Sequence, residues 1–156
     1  MTPDQAAAAT IRRARYQDVP AIVRLLADDA LGTTRESPGT PELYWRAFEE
    51  VNRDPRNFLA VAELNGEVVG TLQLTFIPSL TYEGGERAQI EAVRIDARHR
   101  NAGIGHALVD WAITRARARG CRVVQLTTDR RRPDALRFYL SLGFQPTHEG
   151  LKLILR

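Results

Sequence analysis

The sequence predicts an α/β domain built on a mixed sheet, and three observations predict it. "NFLAVAEL" and "EVVGTLQLTFI" flank an Asn-Gly pair, the pattern of a β-hairpin. A strand-helix-strand-helix passage follows over residues 90–143 and suggests a right-handed parallel crossover. Elsewhere helices are interspersed with strands rather than segregated, as in layered α/β folds.

Each element has its own signal. "IRRAR", Ile11–Arg15, alternates as a short strand. Asp18 stands where a helix cap should, with Pro20 in the first turn. Ile22, Val23, Leu25, Leu26 and Leu31 fit one face of that helix. "GTTRESPGTP" reads as loop and "ELYWRAFEEVNRD" as a second helix. After the hairpin, "PSLTYEGGER" connects to a strand, "AQIEAVRID". A long helix, "GIGHALVDWAITRARARG", closes on Gly120. "CRVVQLTT" is the next strand and "PDALRFYLSLG" a shorter helix ending at Gly143. "FQPTH" and "LKLIL" predict a final strand pair around Glu149-Gly150. Residues 1–10 read as a flexible N-terminal tail and 11–156 as a single domain.

The chain has 156 residues, 44% hydrophobic and 26% charged, ordinary values for a globular protein. No run is long and apolar enough to span a membrane. The opening residues lack the basic and apolar regions of a secretory signal. One cysteine, Cys121, leaves no intramolecular disulfide and fits a reducing, cytoplasmic location. Net charge is +3, unevenly spread. Residues 1–86 hold 8 basic and 13 acidic side chains, residues 87–156 hold 14 and 6. The split suggests a C-terminal half facing an anion; the competing reading is solvated faces that differ by chance.

"RHRNAGIGHAL", Arg98 to Leu108, puts two glycines at the start of the long helix. The first amides of a helix have no intrahelical acceptor, and the helix dipole adds positive charge there. Gly103 and Gly105 let a phosphate approach the backbone, and Arg98 and Arg100 could add charge. The alternative is a tight turn and nothing more. A P-loop is excluded, because His106 and Ala107 follow Gly105 where Lys-Ser/Thr is needed. A dinucleotide fingerprint is disfavoured, because Leu108 stands at its third glycine.

Together, "VRIDARHRNAGIGHAL" and the later "FYLSLGF" resemble the GNAT acetyltransferase superfamily. Arg100, Gly103 and Gly105 fit its (Gln/Arg)-x-x-Gly-x-(Gly/Ala) pattern. Phe138, Tyr139, Gly143 and Phe144 fit its Phe-Tyr and Gly-Phe pairs. The resemblance implies a mostly antiparallel central sheet with a parallel strand pair at the cofactor cleft and helices on both faces. It implies acetyl-CoA as co-substrate, its pyrophosphate on the amides of Asn101, Ala102, Gly103, Ile104, Gly105 and His106. The pantetheine arm would pair with the strand at Val93, Arg94 and Ile95, where it splays from "CRVVQLTT". The amide of Val93 or Arg94 would hold the developing oxyanion.

The reaction implied is N-acetyl transfer to a primary amine of a small molecule by direct attack in a ternary complex. Glu91 is then the candidate base, with partial burial expected to raise its pKa. Its alternative is a strand glutamate facing solvent or pairing with arginine. Tyr139 is the candidate acid for the CoA sulfur, and its alternative is an aromatic packing the helix on the sheet. Relatives carry asparagine seven residues before this tyrosine; Arg132 stands there instead, contacting a CoA phosphate or simply solvated. No metal is expected, since His99, His106 and His148 lack ligand spacing. Cys121 and Trp111 read as packing residues; Tyr44, Trp45 and Phe48 read as core, with Trp45 alternatively lining the acceptor pocket. In this fold the acceptor site is shaped by residues 31–42 and 78–87 and by the final hairpin. Homodimerisation is a family habit. Two other readings compete: a CoA-binding sensor without catalysis, and a nucleic-acid-binding module on the basic half.

Overall fold

A computed structural model describes residues 8–155. Most of the expected tail, residues 1–7, lies outside the described residues. The chain forms two compact units that divide after Gln125.

The first unit carries a five-stranded sheet in chain order. Its strands are β1 (Thr10–Arg13), β2 (Asn57–Leu64), β3 (Glu67–Ile77), β4 (Arg87–Ile95) and β5 (Val123–Gln125). The first four are antiparallel neighbours, and β5 runs parallel to β4. The mixed sheet expected from the sequence is therefore present. Asn65 and Gly66 make the β2–β3 turn with φ of 52° and 80°, the left-handed pair that a two-residue hairpin demands.

Helices cover both faces. Val19–Ala27 (α1) and Pro41–Arg53 (α2) bury Val19, Ile22, Val23 and Phe48 with Val61 of β2. Trp45 packs at the edge of this cluster and stacks on Tyr16, with ring centroids 5.6 Å apart. Its indole nitrogen is buried, so Trp45 serves the core. Ile104–Arg119 (α3) buries Leu108, Val109, Ala112 and Ala116. A Cβ at Gly70 of β3 would come within 3.1 Å of Leu108 Cδ1, so the absence of a side chain there brings helix and sheet close. Trp111 packs on Phe58 of β2 at 4.8 Å. The amides of Gly120 and Cys121 bond back to Arg117 and Ala116 and end the helix as expected.

Two local expectations are corrected. Asp18 sits before α1 but makes no side-chain cap to it. Its Oδ2 instead accepts the Arg15 amide at 2.6 Å and meets Arg12 Nη1 at 2.7 Å, because a single-turn 3-10 helix, Tyr16–Asp18, intervenes. The strand expected over "CRVVQLTT" is confined to three residues, and its pairing with β4 stops at Gln89↔Gln125.

In the second unit, Pro133–Ser141 forms α4. Gly143 follows with φ of 91°, and the Phe144 amide bonds to Tyr139 O at 3.2 Å. The expected final strand pair is absent among the described residues. Leu151, Leu153, Ile154 and Leu155 are 83–92% exposed. Their β-propensity becomes a strand only where a sheet edge accepts the backbone, and this segment joins no ladder.

Candidate functional site

The site is built along one continuous run of the first unit, from β4 through a glycine loop into α3. In β4 the register slips: Gln73 faces Glu91, but Thr71 faces Arg94. Ala92 and Val93 therefore stand opposite Leu72 alone, which is a β-bulge. Ala92 has φ of 54°, a left-handed conformation that alanine adopts at a cost. The strand's alternation breaks there, and Glu91 and Ala92 are both exposed. Glu91 is thus more open than the partial burial expected of it. Val93, Arg94 and Ile95 are half-buried beyond the bulge.

Asp96 ends the strand. Its amide bonds to Val69 O at 2.8 Å, and its Oδ1 accepts the Arg98 amide at 2.9 Å. The Arg98 guanidinium pulls the Asp96 carboxyl down to about 2, against a smaller desolvation effect. Arg98 also reaches Glu67 at 2.5 Å, so two carboxylates neutralise it. Of the two arginines expected near the anion, Arg98 is spent on structure, and exposed Arg100 stands at the loop itself.

The loop then alternates hand. Arg100 is extended, Asn101 has φ of 61°, and Gly103 has φ of 81° as the N-cap residue. No side chain caps the helix. The first amide to close an α-helical turn is that of Ala107, which bonds to Gly103 O at 3.0 Å. The amides of Ile104, Gly105 and His106 precede it and lack intrahelical acceptors. Ala102 and Ile104 are buried and anchor the loop, while Asn101 and His106 are exposed. Backbone donors arranged in this way at a helix N-terminus can take an anion such as a phosphate or pyrophosphate.

Tyr139 lies in the second unit, half-buried on α4. Its ring meets Phe138 and Phe144 edge-on, with centroids 5.1 and 5.8 Å away. Arg132 precedes α4 and offers it no side-chain cap. Cys121 is half-buried, its thiol pushed up by burial and by Glu86, so it is poorly suited to be a nucleophile. Among the described residues, no group of three His, Cys, Asp or Glu side chains could hold a metal. Sequence reasoning missed the bulge: no residue type announces a left-handed alanine.

The sequence pattern of the acetyltransferase (GNAT) family matches residues 20–144. A transcriptional regulator from Bacillus halodurans is 52% identical, superposes with a TM-score of 0.92, and covers 94% of this chain and 99% of its own. The aminoalkylphosphonate N-acetyltransferase of Salmonella typhimurium is 34% identical over 61% of this chain and 61% of its own length. The glucosamine 6-phosphate N-acetyltransferase of Trypanosoma brucei brucei is 33% identical over 56% of this chain and 58% of its own. The chain thus spans about three-fifths of each of these two curated relatives.

Proposed function

We propose, from the premise that this chain belongs to the GNAT acetyltransferase family, that it transfers the acetyl group of acetyl-CoA to a primary amine of a small molecule. The observation that carries this reading is the bulge at Ala92 followed in the same run by a helix whose N-terminus is capped by Gly103 with φ of 81°. The bulge interrupts regular pairing beside Val93 and Arg94, and in this reading the amide of one or the other donates to the thioester carbonyl. The amides from Asn101 to His106 take the pyrophosphate, with exposed Arg100 alongside. Glu91 accepts the ammonium proton, directly or through water, so that a neutral amine attacks the carbonyl carbon. The carbon–sulfur bond breaks, the Tyr139 hydroxyl donates its proton to the leaving sulfur, and the second proton shed by the acylated nitrogen restores the tyrosine through solvent. Residues 11–156 act as one acetyltransferase domain in this reading, and the family match across both units supports that.

Two relatives act, by their names, on amines that also carry a phosphonate or phosphate. Such amines head the panel that tests the proposal, scored by release of free CoA. Calorimetric titration with acetyl-CoA comes first; no binding at micromolar concentration overturns the reading. Binding without turnover on any amine would favour a CoA sensor. Light scattering tests the homodimer, and fractionation of the source cells tests the cytoplasmic location.

A second reading, a regulator acting through nucleic acid, draws on the name of the Bacillus halodurans relative. The charge pattern opposes it. Within the basic half, Arg94, Arg98, Arg119 and Arg122 each meet a carboxylate from residues 1–86, against a net excess of eight (14 − 6). Much of the basic excess is therefore neutralised locally. Salt-dependent retention of random duplex DNA would revive this reading.

A further inference from the structure

We infer that the Arg94 side chain is a positioning residue: through an ion pair with Asp29 it holds the loop after α1 against the bulged strand, and so sets affinity for the acceptor. The inference rests on the proposed acetyl transfer, because the family resemblance implies that residues 31–42 help to shape the acceptor site.

Arg94 follows the bulge by one residue, and its Nη1 donates to Val93 O at 2.9 Å. Its Nε stands 3.5 Å from Asp29 Oδ2. The two side chains are only 16% and 23% exposed, so the pair is largely shielded from water. Asp29 also organises the loop. Its Oδ1 accepts the amides of Leu31 at 3.0 Å and Gly32 at 2.5 Å, and its carbonyl accepts the Thr33 amide at 2.9 Å. Gly32 is packed so closely that a Cβ would lie 2.0 Å from Leu26 O, so this turn has little room to rearrange. At the loop's other end, Tyr44 Oη accepts the Ser37 amide at 2.7 Å and donates to Glu36 at 3.0 Å. The segment is therefore clamped twice, to α2 through Tyr44 and to β4 through Arg94. The second clamp reaches the strand that would carry the thioester.

An ion pair of this kind should act on the acceptor and spare the donor. Arg94→Ala and Asp29→Asn are each expected to raise KM for the amine about tenfold, and Asp29→Asn, which lies outside the cofactor strand, should keep KM for acetyl-CoA within about twofold of wild type. The double variant should be no worse than either single one, and Arg94→Lys should restore most of the affinity. Additive effects, an unchanged amine KM, or an equal rise in both KM values in Asp29→Asn would overturn the inference. Asp29→Asn is nearly isosteric and covers the case in which Arg94→Ala fails to fold. Hydrogen exchange of the acceptor-free protein reads the link without turnover: amides of Leu31–Thr34 should exchange about tenfold faster in both variants. Unchanged exchange refutes the clamp. A wild type inert towards every amine refutes the proposed function and the acceptor half of this inference, while the exchange data still decide the ion pair.

Discussion

Gln125 donates its side-chain amide to the Gln89 side-chain carbonyl at 2.7 Å, at the last position where β5 pairs with β4. Two residues further along β4 stands Glu91, beyond the end of that ladder. This fork is what the proposed chemistry needs, because a substrate can reach a strand only where its neighbour has ceased to cover it.

Glu91→Gln should lower kcat/KM for the amine about a hundredfold and leave acetyl-CoA affinity unchanged. Steady-state kinetics, with titration of acetyl-CoA, check this. Full activity in the variant would remove Glu91 from the mechanism.

Gly103→Ala places a Cβ on a residue with φ of 81°. The strain is about 1 kcal/mol, and a shifted loop should weaken acetyl-CoA binding about tenfold. Asn tolerates this conformation better, so Gly103→Asn should bind between the two. Calorimetric titration of the three proteins orders them. Equal affinities would mean that the loop is a turn without a phosphate.

Tyr139→Phe removes a hydroxyl and keeps the ring against Phe138 and Phe144. The melting temperature should stay near wild type, while kcat at saturating acetyl-CoA drops about tenfold. Unchanged turnover would leave the tyrosine a packing residue.

Asp18→Asn removes one of two carboxylate partners of Arg12, which keeps Glu63 at 2.6 Å, at a cost of about 1.5 kcal/mol in urea unfolding. Burial raises the Asp18 carboxyl, but Arg12 and the Arg15 amide outweigh it and hold the group below its ordinary value. Asp96 is likewise held down at about 2. A depressed carboxyl stabilises the fold fully above its unfolded pKa, about 3.9, and the stability is lost as pH falls through the folded value. Wild-type stability should therefore fall below about pH 4, and the Asp18→Asn curve should be flatter in that range.

Much of the architecture could be read from local patterns. Asn65-Gly66 specifies a hairpin because few other pairs adopt two left-handed residues in succession. Leu108, Val109, Ala112 and Ala116 recur at helical spacing and face the sheet. The glycine loop was legible because Gly103 is needed for a backbone shape. The final strand pair was misread for the complementary reason. Residues 151–155 have strand composition, but a strand exists only in a ladder, and composition does not supply the partner.

By itself the sequence determined the order of the main elements as far as α4, the family and the glycine turn at the start of α3, since each depends on residues close together in the chain. Tertiary structure decided the rest. The bulge at Ala92 arises from register against β3, Arg98 is neutralised by Glu67 from another strand, and Arg94 meets Asp29 across a loop. These depend on which distant backbones come into register, and no local preference for helix, strand or turn encodes that.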